Sequence, residues 1–233
     1  MQYIVVDTET TGLSPDTDRL VELAGVARVQ DELLCWESLC RPGIPIPPEA
    51  MAAHHITESM VADAMDPQLA LSRMMSHMVL GEPTVWVAHN AAFDRGFLAR
   101  LAPSLEPASR WICTYRCALH LWPDAPGHSN QVLRYHLNLC VDLPAGLYPH
   151  RALYDAIVTE GILREMLKTH TLEKLVHLSQ QPAVLAKVRF GKYKGYRWSE
   201  VPRDYLSWCM KQSDMDDDVR HTASSYLSGG RLL

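Results

Sequence analysis

The chain has 233 residues and carries 22 Lys and Arg side chains against 27 Asp and Glu, which gives a formal net charge of −5. With 47% hydrophobic and 21% charged residues, the sequence is not of the disordered class, and no apolar run is long enough to predict a membrane-spanning helix. We expect no signal peptide before the first strand, and therefore a cytoplasmic protein.

The beginning of the sequence has the pattern of consecutive strands. A short β-branched run covers Tyr3–Asp7. Apolar runs at Arg19–Val29 and Glu32–Cys40 follow at hairpin spacing, with Gln30 and Asp31 as the turn. These runs predict an antiparallel hairpin beside the first strand.

Strands and helices then alternate, which is typical of an α/β domain with a mixed sheet. Short apolar runs at Thr84–Ala88 and Trp111–Thr114 indicate strands, and Asn90 is a good N-cap for a helix that continues to Leu101. The other predicted helices cover Glu49–His54, Ser59–Ala64, Pro67–Val79, Tyr115–Leu121, Asn130–Leu139, Arg151–Leu167, 171–180, Pro202–Lys211 and Asp216–Ser228. We expect one α/β domain over residues 1–168 and a small C-terminal domain over residues 169–233.

Two acidic side chains stand at the end of the first strand. Asp7 and Glu9 lie two residues apart in the segment DTETTG, and side chains two apart on a strand point to the same face. Burying unpaired carboxylates is costly, so either both reach solvent or they share hard cations, which prefer oxygen ligands. For this pair of acids alone, exposure of both carboxylates to solvent is the favoured interpretation.

Two further polar motifs lie at other strand and helix ends. The segment His89–Asp94 joins a strand to a helix, and Asp94 falls in the first turn of that helix. His150 precedes Asp155 by five residues, which on one helix would place them about 140° apart. His150 must therefore lie on the loop if both face one site. Strand ends and helix starts meet at one edge of an open α/β sheet, which favours a shared site.

The three segments together resemble the three motifs of the DnaQ-like 3′–5′ exonucleases, the DEDDh subgroup of the RNase H-like superfamily. DTETTG matches the first motif, HNAAFD the second and HRALYD the third, in the order and spacing of the family. The resemblance implies an RNase H-like α/β fold with a mixed five-stranded sheet and flanking helices. The small basic C-terminal region is additional to that fold.

The resemblance also implies metal-dependent hydrolysis of phosphodiesters. It assigns Asp7, Glu9, Asp94 and Asp155 to two Mg²⁺ ions, with Mn²⁺ as an alternative metal. It assigns to His150 the role of general base, for which an unperturbed histidine, titrating near pH 6.5, is well suited. Attack of water on the terminal phosphodiester would then release a nucleoside 5′-monophosphate.

Residues beside the motifs are implied to hold the terminal nucleotide. Leu13 would pack against a base, which gives no sequence preference. Ile56 has a similar implied role, although His55 stands before it where the family has glycine. For Phe93, helix packing is the alternative. The implied substrate contacts in the exonuclease domain are Thr8, Thr10, Leu13, Ile56, Asn90 and Phe93.

A basic segment follows the predicted exonuclease domain. Residues 1–169 hold 12 basic and 20 acidic side chains, whereas residues 170–233 hold 10 basic and 7 acidic ones. Lys187–Arg197 contains five basic residues and no acid, with aromatic residues between them. Lysines such as Lys192 and Lys194 neutralise phosphates while rings stack on bases, so we expect nucleic-acid binding here. The alternative is a loop whose aromatic residues pack a small core.

The leading interpretation is a 3′–5′ exodeoxyribonuclease of DNA repair, with DNA as its partner, either single-stranded or at the 3′ ends of duplexes. The motifs do not separate DNA from RNA, so an exoribonuclease is the first alternative. A polymerase proofreading subunit is the second, and the folded basic tail argues against it. A non-catalytic binding module is the third, and the intact motif residues argue against that.

Overall fold

The computed structural model describes residues 2–78, 84–103 and 110–229. Its strands are β1 (Gln2–Thr10), β2 (Leu20–Val29), β3 (Glu32–Leu39), β4 (Thr84–Ala88) and β5 (Arg110–Cys113). They form one sheet in the order β3-β2-β1-β4-β5. β2 is antiparallel to β1 and β3, whereas β4 is parallel to β1 and β5. The predicted mixed five-stranded sheet is confirmed.

β1 is longer than the predicted Tyr3–Asp7. It continues to Thr10 because the polar end of the strand still pairs with β2, where Glu9 lies opposite Glu22. The predicted hairpin turn between β2 and β3 is present. Both residues of this turn, 30–31, have positive φ angles, 50° and 69°, as a two-residue type I′ turn requires.

Helices flank the sheet and build the C-terminal region. Those of the described residues are α1 (Pro48–His54), α2 (Glu58–Val61), α3 (Pro67–Met78), α4 (Ala91–Leu101), α5 (Thr114–Leu121), α6 (Asn130–His136), α7 (Ala152–Leu167), α8 (Leu172–Ser179), α9 (Arg203–Lys211) and α10 (Asp217–Leu227). α6 ends before the predicted Leu139 because Asn138 has a left-handed backbone with φ 50°. Val79, the predicted end of α3, lies outside the described residues. Within the described ranges, no helix has the length and apolarity needed to cross a bilayer.

Each face of the sheet is covered by its own hydrophobic cluster, and the alternation along β1 divides the two. Val5 points to the face covered by α7, where it shares a buried cluster with Ile157. Ile4 and Val6 point to the opposite face and share a cluster with Met74 of α3. This alternation also decides the face on which each polar residue at the end of β1 lies.

The C-terminal region has a third hydrophobic cluster, built around the fully buried Trp198. It is fixed to α5 by an ion pair in which Arg116 Nη2 lies 2.9 Å from Asp218 Oδ1 of α10. The same carboxylate accepts a 2.7 Å hydrogen bond from the Ala183 backbone N–H. The region therefore packs beside the end of β5, because α5 follows that strand directly.

Candidate active site

Three carboxylates meet at the end of β1. Asp7 and Glu9 project from the face of β1 that α7 covers, and Asp155 lies in the first turn of α7. One oxygen from each of the three lies within 4.8 Å of the other two. The three side chains are only partly buried, so the cluster is open to a ligand. We call these three residues the acidic cluster.

The fourth predicted acid, Asp94, approaches from α4. Its side chain is buried, with 3% exposure, and its Oδ1 accepts a 2.8 Å hydrogen bond from Thr8 Oγ1. Within the described residues, the group of acids that meet within 4.8 Å does not include Asp94. Burial raises the pKa of Asp94 to about 7, although the Thr8 hydroxyl works in the opposite direction.

The protonation of the acidic cluster reflects crowding of like charges in a partly desolvated place. Burial, followed by the charge of Asp94, raises the pKa of Asp7 well above its usual range. Burial, together with the charges of Asp155 and Glu22, raises the pKa of Glu9 to about 8. Burial also raises the pKa of Asp155. The raised pKa values show that the ionised carboxylates are destabilised here. Divalent cations, which prefer oxygen ligands, would stabilise these ionised forms, so the acidic cluster fits such cations.

His150 lies on the loop before α7, as sharing a site with Asp155 requires. Its φ angle is 64°, which turns the chain just before Arg151, the N-cap residue of the helix. Its backbone N–H donates a 2.9 Å hydrogen bond to Asp155 Oδ2. The imidazole is exposed beside the acidic cluster, and its role as general base stays a prediction.

Sequence reasoning missed the buried ion pair that holds the start of α7. Glu22 of β2 is 1% exposed, and its carboxylate accepts hydrogen bonds from Arg151 Nε at 3.1 Å and from the Ala152 backbone N–H at 2.8 Å. A contact with Arg151 Nη2 completes the pair. Glu22 lies opposite Glu9 in the pairing of β1 with β2. An acidic residue inside an otherwise apolar strand is the sequence feature that could have pointed to a buried ion pair.

The predicted nucleotide contacts on β1 divide into two kinds. The hydroxyls of Thr8 and Thr10 donate hydrogen bonds within the protein. Thr8 donates to the Asp94 carboxylate, and Thr10 donates to the Gly12 carbonyl oxygen at 2.6 Å. Leu13 is 85% exposed, so its side chain is accessible to a base. The threonines therefore shape the strand end, whereas Leu13 offers a surface.

The structure corrects the prediction for Ile56. Its side chain is fully buried in a hydrophobic cluster with Val21, Ile46 and Val61, so it has no surface to offer to a base. His55 adopts the left-handed conformation that the glycine of the family would favour, with φ 60° and ψ 19°, and ends α1. It is the exposed His55, not Ile56, that this turn presents to solvent.

The second motif agrees with the prediction in part. Asn90 is the N-cap residue of α4, as predicted, but it has a left-handed backbone with φ 76° and its side chain makes no capping hydrogen bond. The Asn90 side chain is exposed and stays accessible to substrate. Phe93 is half-buried and packs against Phe97 with ring centroids 5.1 Å apart, which supports the packing alternative.

His89, the first residue of that motif, is a structural histidine. One ring nitrogen lies 2.9 Å from Thr114 Oγ1 and the other 2.8 Å from the His128 carbonyl oxygen. A carbonyl only accepts, so Nε2 carries a proton. Burial lowers the pKa of His89 to about 4, so this ring stays neutral at physiological pH and is fully hydrogen-bonded.

The aromatic residues of the basic segment do not share one environment. Trp198 is fully buried and Phe190 packs against the same C-terminal cluster, as the small-core alternative requires. Tyr196 is 54% exposed, and both Lys192 and Lys194 are exposed. The small-core alternative is therefore confirmed for Trp198 and Phe190, and nucleic-acid binding by Lys192 and Lys194 stays a prediction.

Comparisons with known proteins agree with this geometry. A family model described as an exonuclease matches residues 4–163, more than half of the chain. The sheet and its structural neighbours define an RNase H-like α/β protein. The chain belongs to this exonuclease family.

Relatives differ in how much of the chain they share. Exodeoxyribonuclease 10 of Escherichia coli (strain K12) is 38% identical over 230 residues, covering 96% of this chain and 97% of its own length. A DNA polymerase III subunit epsilon-like protein of Rhodobacter capsulatus is 36% identical over 171 residues, covering 70% of this chain and 23% of its own length. The C-terminal quarter therefore has a counterpart in the first relative.

Solved structures give the same result. Exonuclease X in complex with 5′-overhanging duplex DNA matches with a TM-score of 0.63 and 36% identity, over 76% of this chain and 99% of that one. Escherichia coli exonuclease I in complex with a dA16 oligonucleotide matches with a TM-score of 0.56 but only 16% identity, which supports the fold alone.

Proposed function

We propose that the protein is a metal-dependent 3′–5′ exodeoxyribonuclease that releases nucleoside 5′-monophosphates. The observation that carries the proposal is the acidic cluster of Asp7, Glu9 and Asp155, whose oxygens lie within 4.8 Å of one another beside the exposed His150. Membership of the exonuclease family supports the reaction class.

The proposed metal ligands are Asp7, Glu9, Asp94 and Asp155, holding two Mg²⁺ ions or Mn²⁺ in their place. When bound, such ions neutralise the carboxylates, activate water and stabilise charge on the phosphodiester oxygens. Asp94 would join the other three acids from α4, where the hydrogen bond from the Thr8 hydroxyl orients its carboxylate towards the end of β1.

His150 would take the proton from the attacking water. The exposure of His150 and the hydrogen bond from its backbone N–H to Asp155 support this role. The Glu22–Arg151 pair fixes the residue that follows His150, so the loop has little freedom to move away. Leu13 would support the terminal base.

DNA is the proposed substrate because the relatives that share most of the chain are named for it or bound to it. The similarity to exodeoxyribonuclease 10 covers 96% of this chain and so includes the C-terminal region, whereas the similarity to the epsilon-like relative covers only 70% of it. This difference favours a free exodeoxyribonuclease over a proofreading subunit. We assign residues 1–168 to the exonuclease domain and 169–233 to a C-terminal domain that binds nucleic acid, in a cytoplasmic repair enzyme.

The test uses DNA and RNA oligonucleotides of equal sequence, labelled at the 5′ end and incubated with Mg²⁺. We expect a descending ladder on DNA, none on RNA, and none after chelation with EDTA. Asp7→Ala should abolish the ladder. His150→Ala should reduce kcat by about 10²- to 10⁴-fold with unchanged DNA affinity.

His136→Ala is the matched control, because His136 is exposed on α6 and plays no proposed part. Equal activity of Asp7→Ala and the unaltered protein would end the catalytic assignment. A ladder on RNA alone would replace the proposal by the exoribonuclease alternative.

A further inference from the structure

Four aromatic rings of the C-terminal region form a continuous row. Tyr196 meets Tyr193 edge-on with centroids 5.9 Å apart, and Tyr193 meets Tyr205 edge-on at 4.7 Å. Tyr205 then stacks on Trp208 of α9 at 5.2 Å, with the ring planes 30° apart. We call these four residues the aromatic surface. Two of them, Tyr205 and Trp208, come from α9 and lie outside the basic segment Lys187–Arg197.

The ends of the aromatic surface are open to solvent. Tyr196 is 54% exposed and Trp208 is 44% exposed, whereas Tyr193 and Tyr205 between them are half-buried. The row depends on a close backbone approach, because a Cβ at Gly191 would lie 2.7 Å from the Tyr205 hydroxyl. Tyr193 and Tyr205 pack against the C-terminal hydrophobic cluster and anchor the row, so Tyr196 and Trp208 are the rings that offer free faces to a ligand.

The segment of sequence that carries the aromatic surface is basic. Residues 187–211 contain seven basic side chains and two acidic ones. Lys192 Nζ lies 5.3 Å from the centre of the Tyr193 ring, and the exposed Lys194 follows directly. Of the two acids, Glu200 is engaged with the Arg197 backbone N–H and Asp204 with that of Tyr205. This surface complements a polyanion with apolar faces.

A cleft lies between the motif that begins α4 and the first residues of the basic segment. The cleft has a volume of about 640 Å³ and is lined by Asn90 and Ala91 on one side and by Arg189 and Phe190 on the other. Arg189 Nη1 donates a 2.5 Å hydrogen bond to the Tyr115 hydroxyl. A DNA strand at the motif that begins α4 would therefore have a path as far as Arg189 and Phe190, along a cleft that Asp216 and Asp218 also line.

We propose that the aromatic surface binds an unpaired segment of DNA, with bases stacked on Tyr196 and Trp208 and phosphates near Lys192 and Lys194. Stacking on a protein ring needs a free base face, which a duplex hides and a single strand offers. The inference rests on the proposed function for its choice of DNA. The C-terminal region would then be a binding site for single-stranded DNA that is separate from the acidic cluster.

The test measures binding without hydrolysis. The full chain is titrated in EDTA against a fluorescent single-stranded oligonucleotide of 20 nucleotides and against a blunt duplex of the same length, by anisotropy. Tyr196→Ala and Trp208→Ala should each weaken single-strand binding by about fivefold to a hundredfold and leave duplex binding unchanged. Trp208→Phe keeps a ring and should keep most of the affinity.

The matched control is Tyr135→Ala, which removes an aromatic ring that is 70% exposed on α6. Replacing Lys192 and Lys194 by Gln should weaken both DNA forms and flatten the salt dependence. Thermal melting followed by circular dichroism checks folding, and Tyr196→Ala carries the test if Trp208→Ala unfolds. Unchanged single-strand affinity in the folded variants, or equal weakening for the duplex, would overturn the proposal. Failure of the nuclease proposal appears separately, as a missing ladder with Mg²⁺.

Discussion

The Glu22–Arg151 pair shows how single residues hold the candidate site in place. The side chain of Glu22 is 2% exposed and that of Arg151 is 17% exposed, so both charges have lost most of their water. The carboxylate also accepts the Ala152 N–H, which is a free donor at the start of α7. One buried acid thereby fixes the helix end that carries both His150 and Asp155.

Arg151→Met should lower the free energy of unfolding by about 3–5 kcal/mol, because Glu22 would remain buried and unpaired. Denaturation with urea measures the change. The control is Arg100→Met, since Arg100 pairs with Asp16 at the surface and should contribute less than about 1 kcal/mol.

Glu22→Gln combined with Arg151→Met removes both charges and keeps an acceptor for the Ala152 N–H. This double variant should be more stable than Arg151→Met alone. If the single and double variants were equally unstable, the loss would have to come from packing and not from the unpaired charge.

At the scale of elements, the sheet could be predicted because its strands carry β-branched or apolar runs separated by turn residues. The meeting of Asp7 and Glu9 with Asp155 could also be predicted, since the two-residue period of a strand and the start of the next helix decide it. The burial of Ile56 and the backbone of Asn90 could not, because both depend on contacts distant in sequence.

The sequence also could not predict which aromatic rings of the basic segment are buried and which are exposed. Phe190, Tyr193, Tyr196 and Trp198 have similar propensities and spacing, yet only tertiary packing decides which rings enter the C-terminal cluster. Trp208 joins the exposed rings from a different element. Pattern alone therefore predicted the chemistry of the segment but not which residues present it.

The end of α1 provides a prediction for a helix. His55 has a left-handed backbone, a conformation that costs a residue with a Cβ about 1–2 kcal/mol and costs glycine little. His55→Gly should therefore raise the free energy of unfolding by about 1 kcal/mol, less the flexibility that glycine adds to the unfolded chain. The midpoint of urea denaturation reports this change.

His136→Gly is the comparison for that experiment, because His136 ends α6 within the helix and glycine there should lower stability. A decrease in stability for His55→Gly would mean that the contact of the His55 ring with Tyr148, at 5.8 Å between centroids, outweighs the backbone cost.

For the whole molecule, the crowded acids predict a pH dependence of stability in the absence of metal. Folding raises the pKa of Glu9 to about 8 and of Asp94 to about 7, so the folded state binds more protons than the unfolded state. Stability should therefore fall as pH rises from 6.5 to 8, by up to about 1.4 kcal/mol per pH unit for each proton that the folded state holds and the unfolded state has lost. Histidines with lowered pKa, such as His89, act below this window.

The measurement is urea denaturation at several pH values in EDTA, repeated with Mg²⁺. Mg²⁺ should reduce the fall, because bound cations favour the ionised acids. Glu9→Gln should reduce it in EDTA as well. A flat profile in EDTA between pH 6.5 and 8 would contradict the raised pKa values.

The loop that carries Leu13 is held in one conformation by its own hydrogen bonds. Thr11 N–H bonds to the Arg19 carbonyl at 2.8 Å, and the Asp18 carboxylate accepts the Ser14 N–H at 2.9 Å. A Cβ on Gly12 would lie 2.6 Å from that carboxylate, so the closure depends on glycine. Leu13 is thus a preorganised contact: a ligand that covers it gains hydrophobic contact while the loop loses little conformational entropy.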